Sequence, residues 1–202
     1  MSLAQQSSEH EYTLYHLRYD QNPASQRTWQ QRIHDLALSF DPSTHQILGC
    51  FYGLFGLQSS DCFCLISGPA DSAPTQERLN PSTLMQIPLI ATLRPTSPQV
   101  LDQKGIYVFR FWKIAGDQVD KAVQLSSAAW MTFEEGFDTE VKALFRQQLK
   151  AEEESMLLIT WYKNLTAWEA SRSPDPAALE NFRQRQALMH SVMPIATRLI
   201  ER

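Results

Sequence analysis

Five side chains in this sequence have the type and spacing to converge on a small ligand: His16, Arg110, Arg146, Tyr162 and Arg198. Read as a strand, residues 106–114 (IYVFRFWKI) place Tyr107, Phe109 and Phe111 on one face and Val108, Arg110 and Trp112 on the other, because successive strand side chains alternate. The same alternation groups Lys142, Leu144 and Arg146, then Leu158, Thr160 and Tyr162, then Ala196 and Arg198. If these sets share the face turned away from the helices, three arginines, a tyrosine and a threonine gather inside a barrel. His16 takes the place of Arg110 in the first half of the chain. A guanidinium forks onto two oxygens, so such a cavity favours an anionic or carboxylate-bearing ligand. An apolar lining with a few converging polar groups is what a small-molecule site requires. The choice of face is energetic: three aromatics suit a helix-covered core, whereas Arg110 buried there would be an ion without a dependable partner.

Each residue also has a plainer reading. Arginines at strand ends reach solvent and pair with surface carboxylates. Trp130, Trp161 and Trp168 have apolar neighbours and read as core. His190 is either an acid/base group or a helix C-terminal cap, and His34 and His45 read as exposed. Cys50, Cys62 and Cys64 read as free, buried core thiols: Cys62 and Cys64 share a strand face, but no second Cys/His pair at ligand spacing completes a metal site. No Ser/His/Asp order, glycine-rich phosphate loop or cofactor motif is visible, so neither a cofactor nor a metal is expected.

Composition narrows the rest. The 202 residues carry 18 Lys+Arg against 22 Asp+Glu, a net charge of -4, with no basic block of the kind that neutralises phosphates; nucleic acid is not an expected partner. No apolar run approaches the ~20 residues of a spanning helix, and the polar start has no cationic segment leading into an apolar one, so the cytoplasm is the expected location.

The elements that must position these residues repeat. Residues 11–19 read as a strand, and Trp29, Ile33, Leu36, Ala37 and Phe40 fall on one face of a helix. Residues 46–57 and 61–67 read as a hairpin, and 86–93 as a closing strand after a loose Pro/Ser/Asp-rich stretch from Gly68 to Thr83. After a proline-bearing linker the order begins again: strand 106–114, a helix with Val119, Ala122, Val123, Ser126, Ala129, Trp130 and Phe133 on one face, and strands 139–149 and 155–163. Helical pieces 165–171 and 176–190 follow, the latter with Leu179, Phe182, Gln186 and Met189 on one face, then strand 192–200. The expected fold is therefore α+β: tandem ferredoxin-like βαββαβ repeats whose antiparallel sheets pack as one intramolecular barrel. The division is a flexible N-terminus over 1–10, a first repeat over 11–94 with a degenerate second helix, a linker over 95–105 and a second repeat over 106–202.

Tyr15-His16-Leu17-Arg18-Tyr19, Leu48-Gly49-Cys50-Phe51 and Phe55-Gly56-Leu57-Gln58 resemble the opening strand and hairpin of NIPSNAP-like proteins. Tyr107-Val108-Phe109-Arg110, Leu144-Phe145-Arg146, Thr160-Trp161-Tyr162, Ala167-Trp168-Glu169-Ala170-Ser171-Arg172 and Phe182-Arg183-Gln184-Arg185 strengthen the likeness, which covers nearly the whole chain. The resemblance implies the dimeric α+β-barrel superfamily. His16 stands where the family has Glu. A fold shared so widely does not select a function. Binding of a small molecule between the two sheets leads; a cofactor-free oxygenase or isomerase using the same cavity and a non-catalytic structural or interaction module compete with it, so whether the chain is an enzyme stays open. Further association into a homodimer through helix faces or the 68–83 loop is compatible with this architecture.

Overall fold

The computed structural model describes residues 10–70, 81–173 and 175–201. All but the last residue of the flexible terminus expected over 1–10, and most of the loop expected over 68–83, lie outside these residues. The first half runs β1 (Glu11–Arg18), α1 (Gln26–Ala37), β2 (Gln46–Phe55), β3 (Asp61–Ser67) and β4 (Ser82–Ala91). Ser25 starts α1 because its hydroxyl accepts from the Thr28 amide at 3.3 Å, satisfying a first-turn donor that has no helical partner. The second half runs β5 (Ile106–Ala115), α2 (Val119–Gly136), β6 (Thr139–Gln147), β7 (Glu153–Tyr162), α3 (Leu165–Ala170), α4 (Pro176–Gln186) and β8 (Met189–Leu199).

These strands form one closed antiparallel barrel in the order β1-β3-β2-β8-β5-β7-β6-β4. Within it each half keeps the same internal order: β4-β1-β3-β2 and β8-β5-β7-β6. The two sheets join along β2–β8 and β4–β6. The architecture is thus the α+β, ferredoxin-like barrel that the repeated pattern foretells.

The faces are the reverse of those expected. Tyr107, Phe109 and Phe111 point into the barrel, where Tyr107 and Phe109 are wholly buried beside Tyr12, Leu14, Phe51, Phe63, Phe145, Leu157 and Ile159. Ring centroids lie 4.9 Å apart for Phe51–Tyr107, 5.1 Å for Phe51–Phe109, 5.0 Å for Phe63–Phe109 and 5.6 Å for Phe63–Phe111. The space expected to hold a ligand is therefore filled by tilted aromatic side chains from both sheets, an arrangement worth more than burial alone. Burial here pushes the Tyr12 phenol up to about 12, and its hydroxyl has no hydrogen-bond partner.

The outer faces lie under helices. In the first half Tyr15, Leu17, Cys50, Cys62, Cys64 and Ile66 meet Trp29, Ile33 and Leu36 of α1. All three cysteines are buried there; Cys50 Sγ donates to Cys64 Sγ at 2.9 Å, and burial holds the Cys62 thiol well above its ordinary value. In the second half two apolar clusters lie under the helices, one around Trp112, Trp130 and Leu158, the other around Val108, Phe133 and Tyr162. The helical face read for α2 is confirmed, with Val119, Ala122, Ser126, Ala129, Trp130 and Phe133 buried.

Phe109 is wholly buried and touches aromatic rings from the other half. Phe109→Ala should therefore cost about 3–5 kcal/mol in urea unfolding followed by circular dichroism; a loss under about 1 kcal/mol would show that the barrel interior does not hold the halves together.

Candidate ligand-binding site

Between the two apolar clusters under α2 and α4 runs a polar seam. Arg110 opens it: on the outer face of β5 it lies between Val108 of one cluster and Trp112 of the other. Its cross-strand neighbours are Leu158 of β7 and Pro194 of β8. Arg110 Nη1 donates to Thr160 Oγ1 at 3.2 Å and Nη2 donates to the Tyr162 hydroxyl at 3.1 Å. Alternation along β7 sets Thr160 and Tyr162 on this same outer face, both buried.

The helices supply the other wall. Arg185 of α4 donates from Nη1 to Ser126 Oγ of α2 at 3.1 Å, and Ser126, itself buried, donates back to the Ala122 carbonyl at 2.7 Å. The Arg185 guanidinium carbon lies 4.7 Å from the Trp112 ring centre and 5.0 Å from that of Phe182. Its Nε is buried and has no hydrogen-bond partner. Burial, and then the charge of Arg110, bring the Arg185 guanidinium down to about 10. Arg172, just past α3, stands at the rim, exposed as a residue; partial desolvation first, and Arg110 repulsion among the rest, lower its guanidinium, while a hydrogen bond to Tyr162 opposes the fall. Among the described residues no ion pair involves Arg110, Arg172 or Arg185. Pro194 and Val192, on the outer face of β8 beside Arg110 and Trp112, are exposed, so the seam is reachable from that side.

Of the five residues singled out from the sequence, the structure brings only Arg110 and Tyr162 together. Arg146 faces outward too, but the buried carboxylate of Glu154 holds it through Nε at 3.1 Å and Nη2 at 2.7 Å. Arg198 is exposed opposite Tyr52 of β2. His16 faces inward, with its ring 5.2 Å from Phe63, so it lies on the opposite face from Arg110 and is not its counterpart. His16 Nε2 is 2.8 Å from Asp61 Oδ2, and Arg18 forks onto the same carboxylate at 2.8 and 2.9 Å. Of the remaining imidazoles, His190 is exposed and bonded to Glu153, and His45, expected at the surface, is buried and bonded to Thr44 and the Pro69 carbonyl.

Arg185 and Arg172 lie outside the faces read from the sequence, where Ser126 appears only as part of the α2 face. The signal for Arg185 is present: Ala178, Phe182 and Arg185 form the inward face of α4, an i, i+4, i+7 set. Gln186, assigned to that face, is exposed, and Met189 belongs to β8.

A separate cleft of about 1030 Å³ opens beside α1, lined among others by His34, Phe40, His45, Glu11 and Pro69. Glu11 there is already engaged, accepting from the Ala70 amide at 3.0 Å and from Gln148 at 3.2 Å. It offers no convergent donor set like that of the seam.

No family model matches the chain, and no curated protein does. Solved structures do. An anthrone oxidase-like protein matches with a TM-score of 0.68 at 11% identity, over 96% of this chain and 93% of its own. A ferredoxin fold protein related to antibiotic biosynthesis monooxygenases from Listeria monocytogenes matches at 0.51 and 9% identity, over 95% and 96% of the two chains. A heme-binding protein from Thermus thermophilus matches at 0.50 and 12% identity, over 96% and 91%. At these identities the likeness establishes the fold, that of ferredoxin-like α+β barrels. No helix among the described residues is long and apolar enough to cross a membrane.

Asp61, on β3 of the first half, gives the fold a pH signature. Burial pushes its carboxyl up, but hydrogen bonds from Arg18 and His16 more than reverse this, leaving it below its ordinary value of 3.8. A carboxyl held lower in the folded than in the unfolded chain adds stability above the unfolded value and loses it as pH falls below that. Asp61→Asn should thus be less stable than wild type at pH 7 in urea titrations, and the gap should narrow as pH falls from about 4 toward 2. An unchanged gap across that range would show that the Asp61 charge does not stabilise the fold.

Proposed function

We propose that the protein binds a small anionic molecule in the seam between the outer face of β5 and β7 and the helices α2 and α4, with Arg110 and Tyr162 as contacts. The observation that carries this is the gathering of three guanidiniums with no ion-pair partner among the described residues. Cations partly withdrawn from water without a counter-charge are costly, and an anion on the seam would offset that cost. The apolar clusters on either side suit an organic body and the hydroxyls orient its head group. We further read the chain as NIPSNAP-like, with repeats over 11–94 and 106–202 joined by 95–105; the shared strand order of the two halves supports this reading.

The fold neighbours include a heme-binding protein. A haem iron takes an axial imidazole, thiolate, thioether or phenolate. In the seam the Tyr162 hydroxyl is engaged by Arg110, and His16, His45 and His190 are bonded elsewhere to Asp61, Pro69 and Glu153. The guanidinium and hydroxyl donors of the seam suit an oxyanion.

Benzoate and phenyl phosphate, against neutral benzyl alcohol, test this by isothermal titration calorimetry. The anions should bind and the alcohol should not; Arg110→Gln should weaken anion binding about tenfold or more, as loss of a charge-assisted hydrogen bond implies. Equal binding of the alcohol, or indifference to Arg110→Gln in a protein with unchanged circular dichroism, would overturn the reading.

A further inference from the structure

We propose that the head group held in this seam is a doubly charged oxyanion, a phosphate or phosphomonoester, gripped by Arg110 and Arg185 with Arg172 closing the rim. The inference rests on the seam being an anion site, and adds which anion and which third contact.

Elsewhere three arginines hold carboxylates, Arg18 with Asp61, Arg94 with Glu134 and Arg146 with Glu154, while Arg32 of α1 lies alone over the Tyr19 and Trp29 rings. The seam is where three guanidiniums without a carboxylate among the described residues come together. Arg185 is held in position by Ser126 and by the faces of Trp112 and Phe182, none of which neutralises it. Its Nε–H is buried without an acceptor, a donor that an incoming oxygen would satisfy. Arg110 spends one nitrogen on Thr160 and another on Tyr162 but keeps further N–H groups, since a guanidinium has five. The Tyr162 hydroxyl accepts from Arg110, leaving its proton to donate to a ligand, and Arg172 beside it donates to Ser171 Oγ at 3.1 Å.

Charge decides the class. A monocarboxylate would match one of three guanidiniums and leave two, including one buried. A phosphate carries about −1.5 to −2 charges near neutral pH and three acceptor oxygens, enough to match Arg110 and Arg185 and leave only Arg172, the residue exposed to water. Exposed Val192 and Pro194 beside the seam offer apolar contact to the organic part of an ester.

The test is calorimetric titration of the full chain with inorganic phosphate, phenyl phosphate and benzoate, in wild type, Arg185→Met and Arg185→Lys, with melting temperatures of the ligand-free proteins. Phenyl phosphate should bind wild type at least about tenfold tighter than benzoate. Arg185→Met should erase that preference and raise the ligand-free melting temperature, because it replaces an unneutralised buried cation by an apolar side chain of similar length; Arg185→Lys should keep part of the preference. Phenyl phosphate well above inorganic phosphate identifies an ester, and parity identifies the free anion; both support the dianion. Benzoate equal to phenyl phosphate, with both dependent on Arg110, overturns the dianion and leaves the anion site standing. A lowered ligand-free melting temperature in Arg185→Met makes the residue a structural brace and overturns its role here. Absence of any anion binding by wild type overturns both readings.

Discussion

The contact between Phe51 and Phe63 of the first sheet and Tyr107, Phe109 and Phe111 of the second governs the rest of this structure. Two antiparallel sheets each present one face to helices and one to the other sheet, and the second face must be dried by side chains large enough to span the gap. Five interlocking rings do so. Once Tyr107, Phe109 and Phe111 are committed inward, strand alternation leaves Arg110 no choice but the outer face, between Val108 and Trp112. The polar seam follows from the aromatic joint.

This also explains what the sequence disclosed and what it concealed. Element order, the two hairpins, the α2 face and the closed tandem barrel follow from apolar periodicity, which reports that a face is covered. Periodicity does not report by what. Both faces of β5 are covered, so its alternation is equally compatible with the aromatics facing α2 or facing the sister sheet. From the sequence alone, an Arg110 buried under helices is expected to lack partners. Thr160, Tyr162 and the exposed strip of β8 supply those partners and a path to water, and none of them is near Arg110 in sequence. His16, Arg146 and Arg198 were misplaced for a related reason. Strand parity can set residues on a common face, but Glu154 and Asp61, which capture Arg146 and His16, come from neighbouring strands whose register had to be seen.

The seam is stable in its own way. Its cations are spread across β5, α4 and the rim, each tied to a hydroxyl rather than a carboxylate, so each keeps its position without losing its charge. Aromatic faces of Trp112 and Phe182 around Arg185 favour a flat cation and exclude water. A carboxylate built into this place would stabilise the fold more and leave nothing for a ligand to do. The absence of one among the residues that bond to Arg110 and Arg185 is what separates this cluster from the ion pairs elsewhere in the barrel.

The two halves are copies in strand order but not in chemistry, and the difference falls at this position. On β1 the inward residues are Tyr12, Leu14 and His16, so the outward residue at mid-strand is Tyr15, which packs under α1 against Phe40 at 5.9 Å with its hydroxyl unpartnered. Tyr15 fills with an apolar ring the space that Arg110 fills with a charge. The second half brings α4 across its sheet, and with it Arg185; among the described residues the first half has no helix between β3 and β4 to bring an equivalent. The cation on the first half's helix-covered side is Arg32 of α1, which lies over the Tyr19 and Trp29 rings and donates to the Gln21 carbonyl. Among the described residues the polar seam thus lies in the half where a second helix crosses the sheet.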